Sequence, residues 1–235
     1  MKIVKYSIFL FIFLFLLSLT ILQFNSVDSA ITLEDEKYIN LITKDINKEI
    51  SNYNDEINFL YNIQKAVLNI ASKEIRIDLG LPREPKDLFL NEGGECYDRS
   101  RTIEKILNYY GFKTRHIFFF LKSDLKSLMS IFLKKGLSSH AATEVKTTKG
   151  WVVVDSNSEW ISLDKDYNPV PLKIIKKNII INQNNKIKWL NNPGNIFFSS
   201  PIVYIYGLYS RHGKFFPPYN FIPDINLMEF LYNIK

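Results

Sequence analysis

The single cysteine of this chain stands where a helix begins, and strand signals follow that helix. Ile103, Ile106, Leu107 and Tyr110 recur at three- and four-residue spacing behind Cys96, and Gly111 stops the pattern. Cys96 lies seven residues before Ile103, so it projects on nearly the same face as the apolar stripe. The spacing predicts a thiol in the first helical turn, pointing toward the body of the protein. First-turn N–H groups and the positive end of the helix dipole favour a thiolate over a thiol. The same N–H groups can hold the oxyanion of a tetrahedral intermediate. Gly93 and Gly94 precede the turn; having no Cβ, they are expected to let a substrate backbone come close. A buried structural cysteine is the other reading that this stretch alone leaves open.

Composition narrows the classes. A chain of 235 residues, 46% hydrophobic and 23% charged, suffices for one domain with a sizeable core. A formal charge of +6 suits an anionic envelope surface but is too small to argue for nucleic acid, and no RNA- or DNA-binding motif is present. One cysteine rules out an intramolecular disulfide. With three scattered histidines, no metal-ligand spacing arises, and neither a metal nor another cofactor is expected. Nucleophilic chemistry is then the main functional use left for Cys96.

Lys2 and Lys5 precede an apolar run from Tyr6 to Phe24. At about 1.5 Å per residue it spans roughly 28 Å, close to a bilayer's hydrocarbon core. Asp28, Glu34, Asp35 and Glu36 follow, so the positive-inside rule puts the N-terminus in the cytoplasm. Residues 1–30 read as an uncleaved membrane anchor, with a cleaved signal ending near Val27-Asp28-Ser29 as the alternative. Either way residues 31–235 are expected on the periplasmic or extracellular side. A lone free thiol is unusual in an exported protein and argues for a chemical role.

Thr32 and Asp35 form a capping-box pattern, with Ile39, Ile42, Ile46 and Ile50 at helical spacing behind it. A second helix is expected from near Asp55, carrying Leu60, Tyr61, Val67, Ile70 and Ala71, with Gly80, Pro82 and Pro85 ending the pattern. Gln64 on this helix reads as exposed, with an amide offered to an active site as the alternative. After Gly111, Ile117-Phe118-Phe119-Phe120-Leu121 is a buried-strand pattern. Ser123 then caps a predicted short helix with Leu125, Leu128, Met129, Phe132 and Leu133 on one face. Residues 138–146 and 151–155 read as a hairpin turning at 147–150. With Thr148 and Lys149 as a two-residue turn, Ala142 lies opposite Asp155, and His140 becomes the diagonal neighbour of Asp155 on the same face. A thiol, an imidazole base and an orienting carboxylate thus arrive in the order Cys96, His140, Asp155. His116 and His212 are alternative bases.

Five segments carry a family likeness: Gly94-Glu95-Cys96; Leu107 with Gly111; Arg115-His116-Ile117; His140-Ala141-Ala142-Thr143-Glu144-Val145; and Trp151-Val152-Val153-Val154-Asp155. Together they resemble the transglutaminase-like superfamily, a branch of papain-like cysteine enzymes, over about residues 90 to 160. The resemblance implies a nucleophile at Cys96, a general base at His140 and an orienting acid at Asp155. It implies acyl transfer to and from sulfur with a peptide, protein or glycopeptide substrate. Ala142 stands where many relatives carry an aromatic residue, and the helical insertion before His140 is a second departure; both bear on the substrate.

The expected fold is α+β: a papain-like, transglutaminase-like core of helices packed on an antiparallel sheet, behind an N-terminal transmembrane helix. Residues 31–90 are the helical part, 91–160 the catalytic core, and 161–235 an aromatic-rich C-terminal part. In the last, Ile174-Ile175 and Ile179-Ile180-Ile181 read as strands. Phe197, Phe198 and the tyrosines beyond them would line one wall of a substrate cleft or simply pack the core. Hydrolysis of an amide is the expected reaction, with transfer to an amine and a non-catalytic envelope-binding module as rivals.

Overall fold

The computed structural model describes residues 2–78, 81–127, 129–181, 187–210 and 224–234, and side chains of the first helix over residues 6–20. Helix α1 (Lys2–Asn25) is followed by α2 (Leu33–Ile42), α3 (Tyr53–Ile70), α4 (Pro85–Asn91) and α5 (Cys96–Tyr109). Next come β1 (Lys113–Leu121), α6 (Ser130–Leu133), β2 (Ser139–Lys146), β3 (Trp151–Asp155), α7 (Leu172–Ile180), β4 (Ile202–Tyr206), β5 (Leu208–Tyr209), β6 (Asp224–Ile225) and α8 (Leu227–Phe230).

Local chemistry sets these boundaries. Asp35 accepts from the Thr32 N–H at 2.9 Å while Thr32 Oγ1 accepts from the Asp35 N–H at 3.1 Å, the reciprocal capping box read from the sequence. Asn52 caps α3 by accepting from the Asn54 and Asp55 N–H groups. Pro85 opens α4 rather than ending a helix, its fixed φ suiting the first helical position.

Four strands form one antiparallel sheet in the order β3-β2-β1-β4. Alternation divides its side chains between two faces. Val145, Val152 and Val154 join a cluster with Leu60, Ile63 and Val67 of α3 and Ile103, Ile106 and Leu107 of α5. Ile117, Phe119, Ala142 and Val153 face the other way, against Leu172, Ile175 and Ile179 of α7 and against Phe197 and Phe198. The α+β architecture of helices on an antiparallel sheet follows from these two apolar faces.

Several expectations are corrected. Residues 172–180 form helix α7, not strands. Leu172, Ile175 and Ile179 are buried at helical spacing while Lys173, Ile174 and Lys177 are exposed, so the period overrides the β-preference of isoleucine. Helix α2 stops at Ile42, leaving Ile46 and Ile50 to pack from the following loop. The segment after Ser123 is a single turn over Lys122–Asp124 and then the short α6; Leu128 lies outside the described residues. On α1, apolar side chains such as Phe9 and Phe11 are more than two-thirds exposed, at 71% and 72%. Among the described residues, no helix is long and apolar enough to cross a membrane; the side chains of 21–24, at the end of the Tyr6–Phe24 run, lie outside the description.

The glycine pair before Cys96 serves internal packing, not substrate approach. Gly94 N–H donates to the Ser72 carbonyl at 3.1 Å. A Cβ on Gly93 would lie 2.3 Å from Ile75 Cβ, and one on Gly94 would lie 2.9 Å from Asp98 Cβ. Gly93→Ala is therefore expected to destabilise the fold by about 1–3 kcal/mol, read as a lower urea midpoint with an unchanged slope.

Candidate active site

The hairpin turns on Thr148 and Lys149, closed by Thr147 N–H donating to the Gly150 carbonyl at 2.8 Å. That register pairs Ala142 with Asp155 and puts His140 diagonally across from the carboxylate. His140 Nε2 lies 2.5 Å from Asp155 Oδ1, with both side chains buried. The imidazole stacks between Phe119, at 6.0 Å, and Phe197, at 5.5 Å, and meets the edge of Phe198.

Helix α5 packs on the other face of the sheet, where half-buried Cys96 touches the cluster of Phe118, Phe120 and Ala141. The pairing of β2 with β3 ends at Ala142 and Asp155, so His140 lies past the paired stretch, beside the turn of Ser156 and Asn157. The thiol lies close enough to the ring to act on it as a hydrogen-bond partner. Cys96, His140 and Asp155 are thus brought to one place.

Burial opposes charge on His140, but the hydrogen bonds from Asp155 and Cys96 outweigh it and hold the imidazole up at about 9. Burial likewise pushes the Asp155 carboxyl up; His140, the Ser158 hydroxyl at 2.5 Å and the Asn157 N–H overcome it and hold the acid below its ordinary value. The signs give a stability window. His140 binds its proton more tightly when folded, so its contribution is complete below about 6.5 and disappears as pH rises through about 9. Asp155 contributes above its ordinary value of 3.8 and loses that contribution as pH falls through its lowered one.

Three residues around this pair carry more than their sequence suggested. Gln64, expected on the surface, is fully buried; its Nε2 donates to the backbone carbonyls of Asp155 at 2.7 Å and Trp160 at 2.8 Å. Its place four residues after Leu60 and three before Val67, within the apolar stripe of α3, was the available signal. Arg99 is 2% exposed. Its Nε donates to the Ser156 carbonyl at 2.6 Å, and its two terminal nitrogens donate to the Gly94 carbonyl and to Asn157 Oδ1. Asn157 Nδ2 lies 3.5 Å from His140 Nδ1. Ser156-Asn157-Ser158 reads in sequence only as a turn after the strand.

The alternative bases fare differently. His116 stacks on Tyr209 at 4.3 Å and contacts Ser100 Oγ at 3.3 Å. Burial first, then the charge of Arg101, pushes it down to about 3, so it stays neutral in the core. His212 lies outside the described residues. Among the described residues no group of His, Cys, Asp or Glu is arranged to hold a metal ion. The chain matches no known family and no curated protein in the comparisons made.

Proposed function

We propose that this chain is a cysteine hydrolase of transglutaminase-like, papain-like type that cleaves an amide bond through Cys96, His140 and Asp155. The observation carrying this reading is the buried 2.5 Å His140–Asp155 pair set beside the chain's only thiol, at a helix start. Up to about pH 9 the proton of the pair rests on His140, and the sulfur so freed attacks the substrate carbonyl. The Cys96 N–H, in a first turn without intrahelical acceptors, helps hold the oxyanion. The imidazolium then gives its proton to the departing amine, leaving a thioester. Water, deprotonated by His140, releases the acid and restores the thiol. Asp155 orients the ring and stabilises its charge.

The same proposal places the domain outside the cytoplasm on an α1 anchor. An apolar helix with exposed side chains suits a bilayer better than water, and the exposed side chains of residues 6–20 support that placement. Resistance of the full chain to alkaline carbonate extraction checks it; release into the supernatant would sink it.

Iodoacetamide tests the site, because Cys96 is the sole thiol. Modification in the folded chain at neutral pH should be at least about tenfold faster than in His140→Ala; equal rates would remove His140 as the activating base. Amide cleavage should also fall as pH rises through about 9, because above it His140 has no proton to give the leaving amine. A rate still climbing at pH 10 would contradict the assignment.

A further inference from the structure

We propose that Asn157, turned by Arg99, acts with Asp155 to hold His140 in one tautomer, by presenting a donor to the ring nitrogen that exchanges a proton with Cys96. The inference rests on reading Cys96 and His140 as nucleophile and base. A guanidinium carries only donors. The amide end of Asn157 that meets Arg99 must therefore be its oxygen, as observed, and the NH2 end must face His140 Nδ1. The other ring nitrogen, Nε2, meets the acceptor-only carboxylate of Asp155 at 2.5 Å. The surroundings therefore make opposite demands on the two nitrogens: a proton on Nε2 and a lone pair on Nδ1. A neutral imidazole satisfies both in one tautomer alone.

The consequence is directional. Nε2 is occupied by Asp155, so Nδ1 is the nitrogen left for the thiol. It accepts the proton as sulfur becomes the thiolate. Once there, the proton faces the Asn157 NH2, which cannot accept it, so it returns to sulfur or passes to the departing amine. At 3.5 Å the amide contact is long, so its orientation matters more than its strength. Arg99 also bonds the Gly94 carbonyl, so one buried guanidinium ties the turn that carries Cys96 to the turn that follows Asp155. Arg99 is a positioning residue that touches no reacting atom; Asn157 meets Nδ1 itself but takes no proton. The titratable and charged groups around His140 are Asp155 and Cys96, with Arg99 acting on both of these and neutral His116 on the neighbouring strand β1.

Long-range nitrogen–proton NMR of histidine-labelled full-length protein in detergent reads the tautomer, and the pH dependence of iodoacetamide modification reads its effect on the sole thiol. Above pH 9 the wild-type His140 should carry its proton on Nε2. Asn157→Asp, nearly isosteric, replaces the donor facing Nδ1 with an acceptor; the His140 midpoint should rise by about one unit or more, and the alkylation profile with it. Arg99→Lys keeps the charge but loses the planar fork that holds the Asn157 amide in its orientation, and should raise the midpoint in the same direction by a smaller amount. Folded Asn157→Asp protein with an unchanged midpoint and tautomer would overturn the inference, whether or not Arg99→Lys folds. If the variants match a wild type that outpaces His140→Ala, this inference alone fails. If the wild type does not outpace His140→Ala, the enzyme reading fails and takes the inference with it.

Discussion

Cys96→Ala should remove acyl transfer almost completely while leaving the fold intact. A nucleophile that works as a unit with its base accounts for on the order of 10⁶ in kcat, with only oxyanion stabilisation and binding left behind. The stability cost should be small, about 1 kcal/mol or less, because the thiol is half-buried and contributes a single heavy atom to its cluster. The two effects separate cleanly, which few active-site substitutions allow. The readout is mass-spectrometric capture of a covalent adduct on the intact chain after exposure to cell-envelope extract, together with release of free acid from a panel of peptide amides. Wild type should gain a single adduct at Cys96 and Cys96→Ala none. Amide cleavage undiminished in Cys96→Ala would end the enzyme reading. Binding of an envelope ligand unchanged in Cys96→Ala, with no adduct on wild type, would instead select the non-catalytic module. An amine acyltransferase would reveal itself by consuming added primary amine without releasing acid.

What the sequence disclosed and what it hid divide along a physical line. The hairpin register was legible because a two-residue turn between strongly alternating strands admits few alternatives, and Ala142 pairs with Asp155 as that turn requires. The start of α5 was legible because an apolar stripe has a period. The surroundings of His140 were not. Gln64 from α3 and Arg99 from α5 hold the chain beside it through backbone carbonyls that carry no residue-type signature, and Asn157 meets it with a side-chain amide from a turn. The role of the two glycines was misread for a related reason: their neighbours are Ile75 and Asp98, of which Ile75 lies on a separate loop. Helix α7 was misread because residue preference was given more weight than period over a short isoleucine-rich stretch. The aromatic C-terminal part turns out to do two jobs. Strand β4 pairs with β1, so cutting the chain before it would remove a sheet strand. Phe197 and Phe198 pack on His140 itself. Truncation near residue 196 therefore cannot separate a cleft wall from the core.

Glu144 is the clearest case of a motif residue whose position suggests chemistry and whose contacts point to stability. It shares a strand face with His140, four residues away, which is about 13 Å along the strand. Its carboxylate is fully buried and accepts from Arg115 Nε at 2.8 Å, the Leu172 N–H at 3.0 Å and the Tyr206 hydroxyl at 2.9 Å. A second Arg115 nitrogen lies 2.7 Å away. Arg115 is itself packed against the rings of Trp151, Tyr206 and Tyr232, at 4.0 to 4.8 Å. One carboxylate thus joins β1, β2, β4 and the first turn of α7. Glu144→Ala leaves a largely buried guanidinium and a buried N–H without their acceptor, and should cost about 3–5 kcal/mol, lowering Tm by on the order of 10 °C. Glu144→Gln keeps one acceptor oxygen for Arg115 and Tyr206 but turns an NH2 toward the Leu172 N–H, losing the charge and one hydrogen bond, so it should cost less than Glu144→Ala. Chemical denaturation of both variants measures the order. In the folded fraction of Glu144→Gln, iodoacetamide should modify Cys96 at the wild-type rate and with the wild-type pH profile, because Glu144 is paired with Arg115 and lies about 13 Å along the strand from His140. A profile displaced by a unit or more would instead place Glu144 in the chemistry of the site, and the four-element junction would no longer be a sufficient reason for a buried acid there.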